Sequence, residues 1–315
     1  MTKTLVIILA ETRASEVTYE SFAENVLTPL SADLCICIGI TPTYDINDPF
    51  YKKASYKFFY DEPEHYGIAI NDALQYFLYD ENIPPIHWLE YMKIPNQFMG
   101  GIGDKTHPNR HPGSAGILLF YRWFLLYNLQ NSGLIEKYDR FIITRSDFIY
   151  MLPHPSMDIM DENSVWIPLG ENYDGYTDRH VVLSRTNIEK YLNILPEMIT
   201  NKSGYFQKMS DNIWGGWNLE RLIAFHLREQ GCIVKQFPYI MYSIRKSEHT
   251  TTWSVGEYSE EDGFFIKYPF EKMRASYYLA ILGNQNIDDF YRNEIEIIEQ
   301  NPNKDPINNR FTISL

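Results

Sequence analysis

Cysteine is nearly absent from this chain. Cys35 and Cys37 stand two apart in one apolar run and Cys232 is remote. That leaves neither a disulfide framework nor a zinc spacing, and the three read as reduced core residues of a cytoplasmic protein. Positive charge is short as well: 28 Lys and Arg against 41 Asp and Glu give a formal net charge of −13. This is the wrong sign for a surface that grips a phosphate backbone, so no nucleic-acid partner is expected, whereas a nucleotide carried by a divalent metal remains open. No apolar run is long enough to cross a bilayer, and the one that begins at Leu5 is too short for a signal peptide. The expectation is a cytoplasmic protein with no transmembrane segment and with peripheral membrane contact left open.

Several catalytic signatures are missing too. No glycine fingerprint follows Leu9, and there is no G-x-S-x-G elbow and no H-E-x-x-H. In Gly103-Asp104-Lys105-Thr106 an aspartate interrupts the Gly-Lys pair of a phosphate loop, and His107, Arg110 and His111 beside it read as a basic lid or a solvated loop. Dehydrogenase, hydrolase and zinc-protease readings lose ground accordingly. A sulfotransferase would need a basic phosphate loop after the first strand, and Ala10-Glu11-Thr12-Arg13-Ala14-Ser15 suits that poorly.

What is present is an α/β pattern. At 315 residues and 44% hydrophobic, the chain can bury one large core or two smaller ones. Residues 5–9 and 33–39 are continuous apolar, β-branched runs, the mark of strands buried on both faces, with a helix expected over 15–30 between them. Strand, helix, strand with tight links opens a mostly parallel sheet. Further on, the spacing predicts strands at 57–60, 138–144, 164–168 and 180–184, and one beginning at 232. Helices are predicted at 67–79, 114–129 with Ser114 as cap, 186–199, and 218–230 with Asn218 as cap and Gly231 as stop. Residues from about 255 onward are acidic with a helical pattern.

The chemistry gathers where such strands end, since ligands of open α/β sheets sit at the carboxyl ends. The run Phe141-Ile142-Ile143-Thr144 stops at Arg145-Ser146-Asp147. Two readings fit: Asp147 as an oxygen ligand for a hard divalent cation, or Arg145 and Asp147, two apart on one face, as a structural ion pair. Thr12 and Arg13 follow the first strand, where Arg13 either meets phosphate or is a solvated loop residue. Glu171, Asp174, Asp178, Arg179 and His180 crowd one loop between apolar runs; they supply the carboxylates and planar donors that recognise sugars, or form a solvated turn. Glu220, near a helix start, is a dipole-favoured first-turn acid or a proton acceptor. Trp214 and Trp217 stack on a sugar or pack in the core. Arg245, Lys246 and His249 follow the late strand, in a segment that also reads as a mixed-charge surface turn.

The stretch 138–147 resembles the metal-binding Asp-x-Asp segment of glycosyltransferases with the GT-A fold, in which a helix precedes an apolar strand ending in acidic residues. Residues 114–129 match that helix, and Ser146-Asp147 the shortened motif; Arg145 departs from the pattern, standing where the first acid belongs. Residues 166–184 resemble the acceptor-side loop and strand of such enzymes, and the chain is similar to transferases of surface polysaccharide synthesis, of the lipopolysaccharide or capsule type. The resemblance implies a GT-A-like catalytic domain over 1–255 and a helical C-terminal extension over 256–315. It implies transfer of a hexosyl or pentosyl group from a nucleotide-diphosphate-sugar donor to an oligosaccharide or polysaccharide acceptor, assisted by Mn2+ or Mg2+. By the same resemblance Asp147 and His249 hold the metal, and Arg245 or Lys246 meets the diphosphate. Thr12 and Arg13 meet the nucleotide, Arg145, Glu171, Asp174, Arg179 and His180 line the substrate site, and Glu220, then Asp211 or Asp178, act on the acceptor. Arg145 in the acid's place keeps a rival alive, a non-catalytic carbohydrate- or nucleotide-sugar-binding protein on the same fold.

Overall fold

Alternation within the apolar runs builds the centre of the molecule. Strand β1 (Thr4–Ala10) turns Leu5, Ile7 and Leu9 to one core and Val6 and Ile8 to the other; β2 (Asp33–Ile40) divides Cys35 and Cys37 from Leu34, Ile36 and Ile38 in the same way. A strand that is apolar at every position has to be covered on both faces, which calls for helices above and below. The computed structural model describes residues 2–79, 87–94, 97–98, 114–170, 172–211, 216–246 and 256–301. Within them β3 (Tyr56–Asp61) is followed by a small ladder of β4 (Lys93–Ile94) and β5 (Gln97–Phe98). Next come β6 (Arg140–Thr144), β7 (Phe148–Tyr150), β8 (Ser164–Pro168), β9 (Val181–Ser184), β10 (Ile233–Phe237) and β11 (Met241–Arg245). The last two are β12 (Glu257–Ser259) and β13 (Phe264–Ile266).

The main sheet has seven strands in the order β10-β8-β9-β6-β1-β2-β3. Only β9 runs against its neighbours; every other pairing is parallel. The expected α/β class, a mostly parallel central sheet flanked by helices, is what forms. A second, antiparallel sheet has the order β12-β13-β11-β7. Because β6 belongs to the first sheet and β7 to the second, Arg145-Ser146-Asp147 is the hinge by which the chain leaves one for the other. Among the described residues no helix is long and apolar enough to cross a membrane.

Several elements differ from expectation for identifiable reasons. The helix predicted over 186–199 is broken into Ile188–Leu192 and Ile194–Thr200, since Pro196 has no N–H to offer the carbonyl of Leu192. Pro238 likewise divides the predicted strand from 232 into β10 and β11, which join different sheets. Ser114 stands at the start of helix Ala115–Asn131 but its side chain makes no cap bond. Helix Lys202–Asp211 was not foreseen. Asn218 does cap helix Leu219–Glu229, accepting from the Arg221 N–H at 2.8 Å. The segment from 256 begins as a hairpin, and its helices Pro269–Leu282 and Ile287–Gln300 place Tyr278, Phe290 and Tyr291 in the core beneath the sheet.

Three buried histidines make the fold acid-sensitive. Burial pushes His154 and His226 each down to about 4, and burial with a neighbouring His154 pushes His180 well below its ordinary value. The unfolded chain therefore takes up protons below pH 6.5 that the folded chain refuses, so the stability these groups contribute is present above that pH and lost as pH falls towards 4. Thr144 Oγ1 lies 2.8 Å from Tyr150 OH, so that pair survives loss of the imidazole. A His180→Phe variant is expected to show a shallower fall in melting temperature between pH 6.5 and 5 than the parent; an unchanged slope would remove His180 from this account.

Candidate functional site

A cavity of ≈ 470 Å³ opens at the carboxyl ends of β1, β2 and β6, where Ala10, Gly39 and Thr144 reach its wall. The helix after β1 packs Phe22 and Val26 on one face of the sheet, whereas helix Tyr66–Leu78 packs Ala69 and Ile70 on the other. Crossovers that part to opposite faces leave a crevice between them, the usual seat of a ligand in this architecture. Gly39 is demanded by space: a Cβ there would lie 2.3 Å from the hydroxyl of Tyr121.

The loop after β1 is built under strain. Ala10 and Ala14 bracket Glu11-Thr12-Arg13 with φ of +75° and +51°, a left-handed conformation that costs roughly 1–2 kcal/mol per non-glycine residue. The loop is pinned by Ser146, whose Oγ accepts from the Arg13 N–H at 2.7 Å, while its own carbonyl accepts from Thr18 Oγ1 at 2.6 Å. Thr12 Oγ1 lies 2.9 Å from Tyr44 OH, and Arg13 pairs with Glu11; all four line the cavity. Thus Ser146 serves as the clamp that ties the first loop to the end of β6.

Asp147 is only 1% exposed and fully engaged. Arg145 grips it with a two-pronged fork, Nε to Oδ1 at 2.9 Å and Nη2 to Oδ2 at 2.7 Å, and Arg245 donates to Oδ2 from behind. Burial alone would raise the carboxyl, but the charges of Arg145 and then Arg245 outweigh it and hold Asp147 far below the ordinary carboxylate range. Of the two readings of the Arg145–Asp147 spacing, the ion pair is the arrangement that forms.

A pair of acids, Asp178 and Glu220, lies beside these arginines. Asp178 lines the cavity and is half-buried; Glu220, in the first turn of helix Leu219–Glu229, stands behind it. Burial, and after it the charge of Asp178, raises the Glu220 carboxyl to about 7. The approach is fixed by backbone: Tyr176 N donates to the Glu220 carbonyl at 3.1 Å, and a Cβ on Gly175 would fall 2.1 Å from the Glu220 carbonyl carbon. Gly175→Ala therefore has to push the loop off the helix. We expect a loss of about 1–3 kcal/mol in stability, read in a urea titration, together with a fall in activity.

Other expected site residues are placed elsewhere. Asp174 is exposed and paired with Arg221 Nη2 at 2.6 Å, closing the turn against the helix start. His180 points into the core below the sheet, with Nδ1 3.0 Å from Thr144 Oγ1 and its ring 5.4 Å from that of His154, so it is a packed histidine rather than a sugar contact. Asp211 is exposed at the end of its helix, accepting from Gln207 at 2.9 Å, and does not line the cavity. Lys246 pairs with Glu16, and Trp217 is buried against Phe225. Glu171, His249, Trp214, His107, Arg110 and His111 lie outside the described residues.

Sequence reading missed four contributors, Arg122, Glu271, Lys267 and Tyr268, of which Glu271 and Tyr268 hold the already expected Arg179. Arg122, fully buried in an apolar helix, donates to the Asp178 carbonyl at 3.2 Å and lies over Tyr191. Arg179 lines the cavity at 5% exposure and pairs with buried Glu271, its guanidinium lying 4.8 Å from the Tyr268 ring centroid. Glu271 also accepts from Tyr239 OH at 2.8 Å and from Ser243 N and Oγ at 2.8 and 2.7 Å. Lys267 is 8% exposed; burial and then the charges of Arg245 and Arg145 lower it to about 7. Three of the four, Lys267, Tyr268 and Glu271, come from the segment expected as a helical extension. A single charged residue within an apolar helix was the one available signal for Arg122.

The described residues around Asp147 do not fit a divalent cation. Both Asp147 oxygens are held by guanidinium groups, and among the described residues no three His, Cys, Asp or Glu side chains come together as a ligand set. A doubly charged ion near 4 Å from one guanidinium would meet repulsion on the order of 8 kcal/mol at an effective dielectric of about 20. The expected role of Asp147 as metal anchor is corrected on that ground; the other expected ligand, His249, lies outside the described residues.

No family model matches the chain, and no curated protein does. Among solved structures it is similar to mouse xyloside xylosyltransferase 1 in the apo form, with 11% identity, a TM-score of 0.37, and 75% of this chain and 85% of that one covered. It is also similar to a protein of Desulfovibrio desulfuricans G20 provisionally described as a nucleotide-diphospho-sugar transferase, with 12% identity, a TM-score of 0.33, and coverage of 75% and 80%. At these TM-scores the likeness carries no argument about this chain, whose reading rests on its own residues.

Proposed function

We propose that this chain is a glycosyltransferase that moves a hexosyl or pentosyl group from a nucleotide-diphosphate-sugar to a hydroxyl of an oligosaccharide or polysaccharide. The observation that carries this is the convergence of Thr12, Arg13, Arg145, Asp178 and Arg179, from three separate chain segments, on one cavity at the carboxyl ends of parallel strands. The lining arginines suit a diphosphate, which planar guanidinium groups bind in bidentate fashion. The carboxyl of Asp178 among them suits sugar and acceptor hydroxyls. In the reaction the bond from the anomeric carbon to the diphosphate oxygen breaks, its electron pair leaving with the nucleoside diphosphate. A bond to the acceptor oxygen forms, and the acceptor proton passes to the Asp178–Glu220 pair, of which Asp178 faces the cavity. A carboxyl with its pKa near the working pH is well matched to that transfer. Synthesis of a surface polysaccharide is the setting we assign to it.

The engaged state of Asp147 favours a second reading, a binding protein without turnover, because the carboxylate expected to organise catalysis is spent on arginines. A panel of nucleotide sugars, assayed for hydrolysis and for transfer to mixed glycans, separates the two. Turnover with at least one donor supports the transferase; saturable binding of a donor with no turnover supports the rival; neither would end both.

A further inference from the structure

We infer that the donor diphosphate is neutralised by guanidinium groups of this chain, with Arg13, Arg145 and Arg179 lining the cavity as the anion-binding set, and that binding and turnover need no divalent cation. The inference rests on the nucleotide-sugar reading and deepens it. Arg145 is anchored by Asp147, and Arg179 by Glu271, so each guanidinium is held in a fixed orientation at the wall before any ligand arrives. One donor of this set is left over: Arg179 Nη2 is buried without a hydrogen-bond partner among the described residues. A buried N–H of a charged group is costly unless an acceptor reaches it, which points to an anionic oxygen brought by a ligand. Asp147, which among the described residues is the carboxylate bonded to both Arg145 and Arg245, cannot neutralise both, and Lys267 is close enough to feel them. Arg13 is the adjustable member: it is 34% exposed and paired with Glu11, a contact that a phosphate can replace. As the glycosidic bond breaks, the diphosphate gains a unit of negative charge, and these positive groups are already oriented to receive it.

The test is a binding titration of the full chain with UDP, GDP, ADP, CDP and inorganic pyrophosphate, in excess EDTA and again with Mn2+. The expected result is that at least one nucleoside diphosphate binds in EDTA and that Mn2+ tightens it less than about threefold, a difference below 1 kcal/mol. Arg13→Ala should weaken that binding by about tenfold or more, the loss of one charge-assisted contact, at an unchanged melting temperature without ligand. Arg145→Lys, which keeps the charge but not the fork, is the second variant. Binding that requires Mn2+ overturns the inference while the nucleotide-sugar reading stands. Failure of every probe in both conditions overturns the two together. Binding in EDTA that both variants leave untouched overturns the assignment to these guanidinium groups.

Discussion

Asp147→Asn is expected to destabilise the protein, with no ligand present and in EDTA, by about 3–5 kcal/mol in a urea titration. The carboxylate is enclosed, and the substitution removes the negative charge that bonds both Arg145 and Arg245 while keeping the size of the side chain. What remains is two guanidinium groups at close range in a water-poor site, and removing one partner of a buried pair costs more than the pair contributes. A carboxylate whose work was to hold a cation would behave in the opposite sense: its loss would spare the metal-free protein and abolish a metal-dependent stabilisation. A second substitution at Arg145 distinguishes the interpretations further. Asp147→Asn with Arg145→Gln should be less destabilising than the sum of the single changes, since the first has already stranded the group the second removes. Additive effects would mean that the two side chains do not act as a unit.

Glu220→Gln is expected to lower kcat/KM by about 10²–10⁴ and to remove the rise of rate with pH centred near pH 7. In the parent, the carboxyl raised to about 7 is protonated at pH 6 and ionised at pH 8, so the base form grows through that interval. Because the charge of Asp178 is the second cause of the shift, Asp178→Asn should displace that limb towards acid pH. Stability gives an independent check of opposite sign. A carboxyl whose folded pKa lies above its ordinary 4.5 contributes stability below that value and loses it as pH rises to about 7. The Gln variant should thus be more stable than the parent at pH 8 while being far less active. A variant with full activity and the same pH limb would show that the proton goes elsewhere.

Composition and periodicity were enough for the class of this protein. Strands that are apolar at every position, as in β1, β2 and β6, have to be covered on both faces, and that alone dictates a sheet between layers of helices. Strand ends are also legible, so Thr12, Arg13, Arg145, Asp178 and Arg179 could be named as neighbours before any distance was known. Where the chain crosses from one element to another, local signals were weaker: Pro196 and Pro238 each cut an element that hydrophobic pattern had drawn as continuous.

The use to which each charge is put was decided by tertiary structure alone. Sequence places Arg145 two residues from Asp147, but whether the acid holds a cation or a guanidinium depends on Arg245, which is 98 residues away and arrives through the second sheet. Arg179 likewise finds Glu271 at a separation of 92 residues. Electrostatic energy falls with distance in space and depends on exclusion of water, and neither is written in the order of residues. That is why a segment with the look of an appended helical tail supplies Lys267, Tyr268 and Glu271 to the wall behind the cavity.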